Sequence, residues 1–194
     1  MEVTREDINR WNRIKVTPTI TDTGGATSRG DFICHLIKKN GWTTGAELGV
    51  WKGATFLKVL KECPDMTLIG VDLWAPQPEN DGPENWIDWN HTAFENHVRA
   101  SSLKFGKRAI IHKMTTIEAA DLVENNSLDF IFIDADHSSK GVENDIVNWR
   151  PKIKENGYIM GHDINWPTVR CVVESYFPDY FIGPYNVWFS VNNP

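Results

Sequence analysis

The sequence predicts an α/β fold, a mostly parallel sheet with helices on both faces. Four short runs, TLIGVD (67–72), AIIHKM (109–114), LDFIFID (128–134) and NGYIMGHD (156–163), are continuously apolar rather than alternating, which is the pattern of strands covered on both sides. Segments of helical period separate them, and such alternation of strand and helix builds a parallel sheet. Two of the runs end in aspartate and the last in His-Asp, so acidic side chains gather at the carboxyl ends of neighbouring strands. Open α/β sheets build their sites there.

At the front, TREDINRWNRI begins with Thr4 and Asp7 three apart, a capping-box start that predicts a helix. A polar, glycine-containing link (21–30) and a second helix (31–39) complete a helical preface over residues 1–40. In GAELGVWKGATFLKVL (45–60), a strand closing on Glu47 runs through glycines into a helix with Phe56, Leu57 and Leu60 on one side. APQPENDGPENWIDWN (75–90) is the longest irregular stretch and reads as a lid-like insertion. The next helix, 91–106, repeats Phe94, Val98 and Leu103 and ends in Gly106 as a C-cap. TTIEAADLV and GVENDIVNWRPKI fill the following two gaps as helices. DYFIGPYNVWFSV then breaks the alternation. Its extended runs at 180–183 and 187–191, split by Pro-Tyr-Asn, predict an antiparallel hairpin added to the sheet. With no repeat or second domain in view, residues 1–194 read as one domain.

A net charge of −6 argues against a polyanion binder, because phosphate-backbone binding needs a concentrated positive surface. Nucleic acid is therefore not an expected partner. Cys34, Cys63 and Cys171 are odd in number and have no metal-like spacing, so they read as free thiols in a reducing compartment. Met1 to Lys15 is charged throughout, unlike a signal peptide, and no apolar run approaches the roughly 20 residues needed to cross a bilayer. The expectation is a soluble cytoplasmic protein with a small-molecule partner and no membrane contact. Assembly as a homodimer stays open. Nine tryptophans are many for this length, and Trp74, Trp86, Trp89 and Trp166 lie in or beside irregular segments. They serve either as loop anchors or as an apolar wall around a ligand.

The glycines Gly45, Gly49 and Gly53 stand four apart and match neither G-x-G-x-x-G nor the P-loop spacing. Glu47 among them would repel a phosphate, whereas a cofactor bearing an ammonium group would bind it, directly or through water. Gly49 and Gly53 would let the backbone pass close to such a ligand. Asp72, 25 residues after Glu47, is placed to accept hydrogen bonds from ribose hydroxyls at the tip of the second strand. Met114 with Thr115 would follow at an adenine.

AELGVWKGATFL, GVDLW, FIDADHSSKGVENDI and GYIMGHDI, in this order and spacing, resemble the class I S-adenosylmethionine-dependent methyltransferases. The similarity is to the small-molecule O-methyltransferases related to macrolide- and sugar-modifying enzymes, and it runs from about Gly45 to the C-terminus. It implies a Rossmann-like, seven-stranded sheet of order 3-2-1-4-5-7-6 with strand 7 antiparallel, in keeping with the terminal hairpin. By resemblance Glu47, Gly49, Gly53 and Asp72 fall on S-adenosylmethionine positions, as do Thr115 and one of Asp134 and Asp136, with Asp136 assigned to the cofactor side.

Asp134, His162 and Asp163 end adjacent strands and would converge on a divalent metal, magnesium or manganese. Metal-dependent relatives carry an acidic or amide pair at the end of the fifth strand. A histidine, His162, takes its first place here, and imidazole suits manganese, iron or zinc better than magnesium. His137, three residues after Asp134, takes the general-base position of such relatives, and a histidine titrates near neutrality. Two other classes stay in view. A nicotinamide-dependent oxidoreductase is disfavoured by the glycine spacing and Glu47. A non-catalytic module on the same fold would leave His137 and Asp163 without purpose.

Overall fold

Residues 128–133 show how the sheet is built. In β4 (Leu128–Ile133), Phe130 and Phe132 point into one apolar layer while Ile131 and Ile133 point into the other. All four are buried, each contributing about 1.5–3 kcal/mol by leaving water. A strand that is apolar at every position needs helices on both faces, and both layers are present. The computed structural model describes residues 19–76 and 90–192. The predicted helix at the front of the preface, with Thr4 and Asp7, lies outside the described residues, as does most of the 75–90 segment.

The elements run α1 (Arg29–Asn40), β1 (Thr44–Leu48), α2 (Ala54–Glu62), β2 (Thr67–Asp72) and α3 (His91–Ser102). Then come β3 (Ala109–Lys113), α4 (Thr116–Ala120), β4, α5 (Ser139–Trp149), β5 (Ile153–Gly161), α6 (Pro167–Tyr176), β6 (Phe181–Ile182) and β7 (Trp188–Val191). The seven strands lie in the order β3-β2-β1-β4-β5-β7-β6, the order implied by the resemblance. Pairings among β3, β2, β1, β4 and β5 are parallel, and β7 pairs antiparallel with both β5 and β6. The terminal hairpin is therefore as read.

On one face, α1, α2 and α3 bury Phe32, Leu36, Phe56, Leu60 and Val98 against Phe130, Phe132 and Met160. On the other, α4, α5 and α6 bury Ala119, Ile146, Trp149 and Val172 against Ile131, Ile133 and Ile159. Helix α1 starts on the Ser28 side chain, which accepts the Asp31 N–H, and ends at left-handed Gly41, a regular pair of caps.

The helix expected over 91–106 is shorter than its pattern. It ends at Ser102, and Leu103 is 81% exposed rather than buried. Gly106, at φ +58, sits in a kinked 3-10 segment (Leu103–Arg108) instead of capping the helix. Arg108 accounts for the early ending: its guanidinium donates to the carbonyls of Leu60, Cys63 and Met66, tying this segment to the end of α2.

Candidate active site

The carboxyl ends of β1, β2, β3, β4 and β5 open into one cavity of about 480 Å³. The β1–α2 turn is its floor. Gly49 has φ +89, and a side chain there would collide with the carbonyl oxygen of Asp134 on the neighbouring strand. Only glycine allows β1 and β4 to lie this close at the cavity mouth.

Asp72 holds the next wall. Its Oδ2 accepts the Trp51 N–H at 2.7 Å and its Oδ1 accepts the Trp74 N–H at 2.7 Å. The Trp74 indole N–H in turn donates to the Trp51 carbonyl at 2.8 Å. Burial raises the Asp72 carboxyl above its usual value, and the backbone N–H groups oppose that shift. Trp51 (φ 49) and Trp74 (φ 42) both sit in the left-handed region, which side chains other than glycine adopt at a cost of about 1–3 kcal/mol. Asp72 is what holds the two loops in that conformation.

At the ends of β4 and β5 four side chains meet. His137 Nε2 lies 2.9 Å from Asp163 Oδ2 and 3.5 Å from Asp134 Oδ1. His162 Nδ1 approaches the same two oxygens, at 3.1 and 3.4 Å. Asp163, at φ 53, is a third left-handed residue of the site other than glycine. Burial works against charging either imidazole, yet the two carboxylates raise both to about 9. Asp134 and Asp163 titrate below the usual carboxylate range despite burial, because the histidines stabilise their ionised forms. The ring of Trp166 lies 4.9 Å from that of His137, centroid to centroid, closing one side of the cluster.

From the opposite layer Arg29, the first residue of α1, reaches Asp134 Oδ2 at 2.7 Å and donates from Nε to Thr55 Oγ1 at 3.0 Å. It is the one cation of the preface to enter the site among the described residues. Beneath it lies Glu47, 2% exposed, with Oε2 lacking a hydrogen-bond partner. Burial pushes its carboxyl well above the usual range; Arg29 opposes the shift, and Asp134 and Asp72 reinforce it.

Asp134, His162 and Asp163 each offer one ligand atom, all within 4.8 Å of one another. Two carboxylates and an imidazole form a donor set that fits a divalent cation of the manganese, iron or zinc type.

The profile of a family described as a methyltransferase domain matches residues 46–164, more than half of the chain. The chain belongs to this methyltransferase family. A curated relative, (R,S)-reticuline 7-O-methyltransferase of Papaver somniferum, is 24% identical over 172 residues, 84% of this chain. The chain spans 47% of that relative's length. Among solved structures, an O-methyltransferase from Bacillus cereus in complex with SAH has a TM-score of 0.60 at 13% identity, covering 97% of this chain and 90% of its own. The SAH-bound methyltransferase PaMTH1 of Podospora anserina has a TM-score of 0.58 at 13% identity, covering 96% and 87%. At such identities the likeness is one of fold, the class I methyltransferase fold.

The candidate cofactor, metal and base residues named from sequence all lie within the family's matched span, but the fold uses them unequally. Gly49, Asp72, Thr115, Asp134, Asp136, His137, His162 and Asp163 line the cavity. Glu47 and Gly53 do not: Glu47 is sealed under the floor, and Gly53, at φ 79, is the N-cap of α2 packed near Val98. Thr115 spends its hydroxyl on a capping box with Glu118, donating to Oε2 at 2.7 Å and accepting from the Glu118 N–H at 3.2 Å. Asp136 Oδ1 accepts the Ser138 N–H at the start of α5.

Arg29, Trp51 and Asp145 were not anticipated. The first sits in a segment read as a preface, and Asp145 is hidden in an amphipathic helix. Trp51 stands in the quoted glycine turn, and nothing in the sequence marks the left-handed conformation it adopts. Of the 75–90 segment, Trp74 just before it lines the cavity together with Ala75, while Trp86 and Trp89 lie outside the described residues.

Proposed function

We propose that the protein transfers a methyl group from S-adenosylmethionine to a hydroxyl of a small molecule, assisted by a divalent cation. The observation that carries this reading is the meeting of Asp134, His162 and Asp163 beside His137 at one end of a cavity whose wall is Asp72. The family match supports methyl transfer. The O-methyltransferase named from Papaver somniferum and the SAH complexes named among the structural neighbours support the oxygen acceptor and the cofactor.

S-adenosylmethionine supplies an electrophilic methyl group on a sulfonium, and a divalent cation supplies charge that lowers the pKa of a hydroxyl bound to it. The residues of the chain do the rest. Asp72 would offer lone pairs to the ribose hydroxyls, and Glu47, which does not line the cavity, would act on the amino group only through water. Asp134, His162 and Asp163 would hold the cation. His137 takes the proton from the acceptor hydroxyl. An imidazole raised to about 9 is charged at neutral pH; a cation on Asp134 and Asp163 would offset the charge that raises it, and His137 would then be free to act as base. Cation and base are in this way one device. The three free cysteines fit a reducing compartment.

The test is calorimetric titration of S-adenosylmethionine into the purified protein with manganese, with magnesium and with chelator. Micromolar binding, about −8 kcal/mol, is the expected result. Absence of binding in all three conditions, with binding of NADH instead, would replace this reading with the oxidoreductase.

A further inference from the structure

Beside the β4–β5 cluster lies a second, much smaller cavity, of about 10 Å³. Ile133, Val142 and Val169 give it apolar walls, and Asp136, His137 and His162 line it as well. Trp188 of β7 completes the lining. Antiparallel pairing sets Trp188 opposite Gly161, and the indole lies so close to that glycine that a side chain there would collide with Cε2, Cζ2 and Nε1. The ring of Phe177 stacks on it, 5.9 Å between centroids. The tryptophan is fully buried, yet its Nε1 has no hydrogen-bond partner within the protein.

Size and chemistry together say what this cavity takes. An indole N–H only donates, so its partner is an acceptor and not a cation. Buried polar groups are nearly always paired, and ordered water is the usual partner where the protein supplies none. A volume of about 10 Å³ is where room for one water molecule begins, and it excludes any larger ligand. Water also brings two lone pairs, so it can serve a second donor.

The second donor is the base. His137 turns Nε2 toward Asp163 and Asp134, at 2.9 and 3.5 Å, the side on which an acceptor hydroxyl would meet it. To take a proton there, a neutral imidazole must carry its hydrogen on Nδ1, and the tautomer of a histidine is set by the hydrogen bond that its other nitrogen makes. Nδ1 of His137 is buried. We propose that one internal water accepts hydrogen bonds from the Trp188 indole N–H and from His137 Nδ1–H, which makes Trp188 a positioning residue for the base. The inference rests on His137 as the general base and adds to it a residue of β7, a strand that contributes nothing to the large cavity.

The experiment is crystallography at a resolution that shows ordered waters, on wild-type protein and Trp188→Phe, beside 15N NMR of histidine-labelled protein with His137→Ala to identify the His137 signals. Trp188→Phe keeps a ring over Gly161 and removes the N–H. Wild type is expected to hold one water within about 3.2 Å of both Trp188 Nε1 and His137 Nδ1. In Trp188→Phe that water is expected to be lost, and the Nδ1 signal of His137 to move while those of His35 stay in place. A wild-type cavity without water overturns the inference, and so does a water more than about 3.5 Å from His137 Nδ1. A water that stays in place in Trp188→Phe, or a His137 signal that does not move when the water is lost, reduces Trp188 to packing and overturns it as well. Should Trp188→Phe not fold, the two distances in the wild-type structure still decide. These readouts need neither cofactor nor substrate, so their failure is distinct from a failure of S-adenosylmethionine to bind.

Discussion

The carboxyl of Asp145 makes a prediction about stability that is independent of any ligand. Burial raises it from 3.8 to about 7, against the opposing hydrogen bond from Thr116; nearby Asp136 adds to the rise and His137 opposes it. Because the folded-state value is the higher one, the folded protein holds this proton while the unfolded chain has already released it. Stability contributed by the protonated group is therefore fully present below pH 3.8 and is lost as pH rises toward 7. Asp145→Asn mimics the protonated form at every pH. Its stability relative to wild type should grow by about 2.5 kcal/mol between pH 5 and pH 8 and flatten above that. The histidines raised to about 9 contribute stability that is present below 6.5 and lost as pH rises through about 9, but they do so in both proteins and largely cancel in the difference. The assay is urea unfolding of the two proteins at pH 5, 6, 7 and 8 without ligand. A difference that stays level over this range would refute the buried, half-protonated carboxyl.

Gly49→Ala places a methyl group against the Asp134 carbonyl at a left-handed φ and should lower unfolding stability by about 3–5 kcal/mol, read as a drop in the urea midpoint; an unchanged midpoint would show that β1 and β4 can separate there. His137→Ala is expected to lower turnover strongly with little change in S-adenosylmethionine affinity, a split read from steady-state kinetics beside calorimetry. Equal turnover would remove His137 as base. Asp72→Ala should weaken cofactor binding whether or not metal is present, and should also loosen Trp51 and Trp74, visible as a shift in tryptophan fluorescence. Chelation should abolish turnover while the protein stays folded by circular dichroism; full activity in chelator would leave Asp134, His162 and Asp163 as an ion-pair cluster only.

The doubly covered strands and the gathering of His137, Asp134, His162 and Asp163 were legible because both follow from where short apolar runs stop, whereas the sheet order came only from the resemblance to the family. A strand buried on both faces has no choice but to be apolar throughout, and the first polar residues after it stand at the carboxyl edge. Leu103 was misread because the helical period continues past Ser102 in sequence, while Arg108 draws the chain away in space. Glu47 and Gly53 were legible as motif residues but not as lining residues, since spacing along the chain does not say on which side of a turn a side chain is sealed.

Arg29 marks the deeper limit of sequence reading and suggests how the site is assembled. Nothing in its neighbourhood in sequence distinguishes it from any basic residue beside a helix cap. Its role arises because α1 packs on α2 and delivers its first residue over Thr55 to Asp134, across 105 positions of chain. In that place Arg29 opposes the rise in the Glu47 carboxyl and stabilises the charge on Asp134. Removing it should therefore disturb two groups at once. In Arg29→Ala, Glu47 loses the cation that opposes the rise of its carboxyl, which favours the neutral form further, so S-adenosylmethionine affinity should fall. Asp134 loses a competitor, so divalent-cation affinity should rise or hold. Calorimetric titration of each ligand separately checks both signs. Parallel losses of the two affinities would mean that Arg29 only supports the packing of α1, and opposite changes would mean that a residue outside the family's matched span balances charge between the two halves of the site.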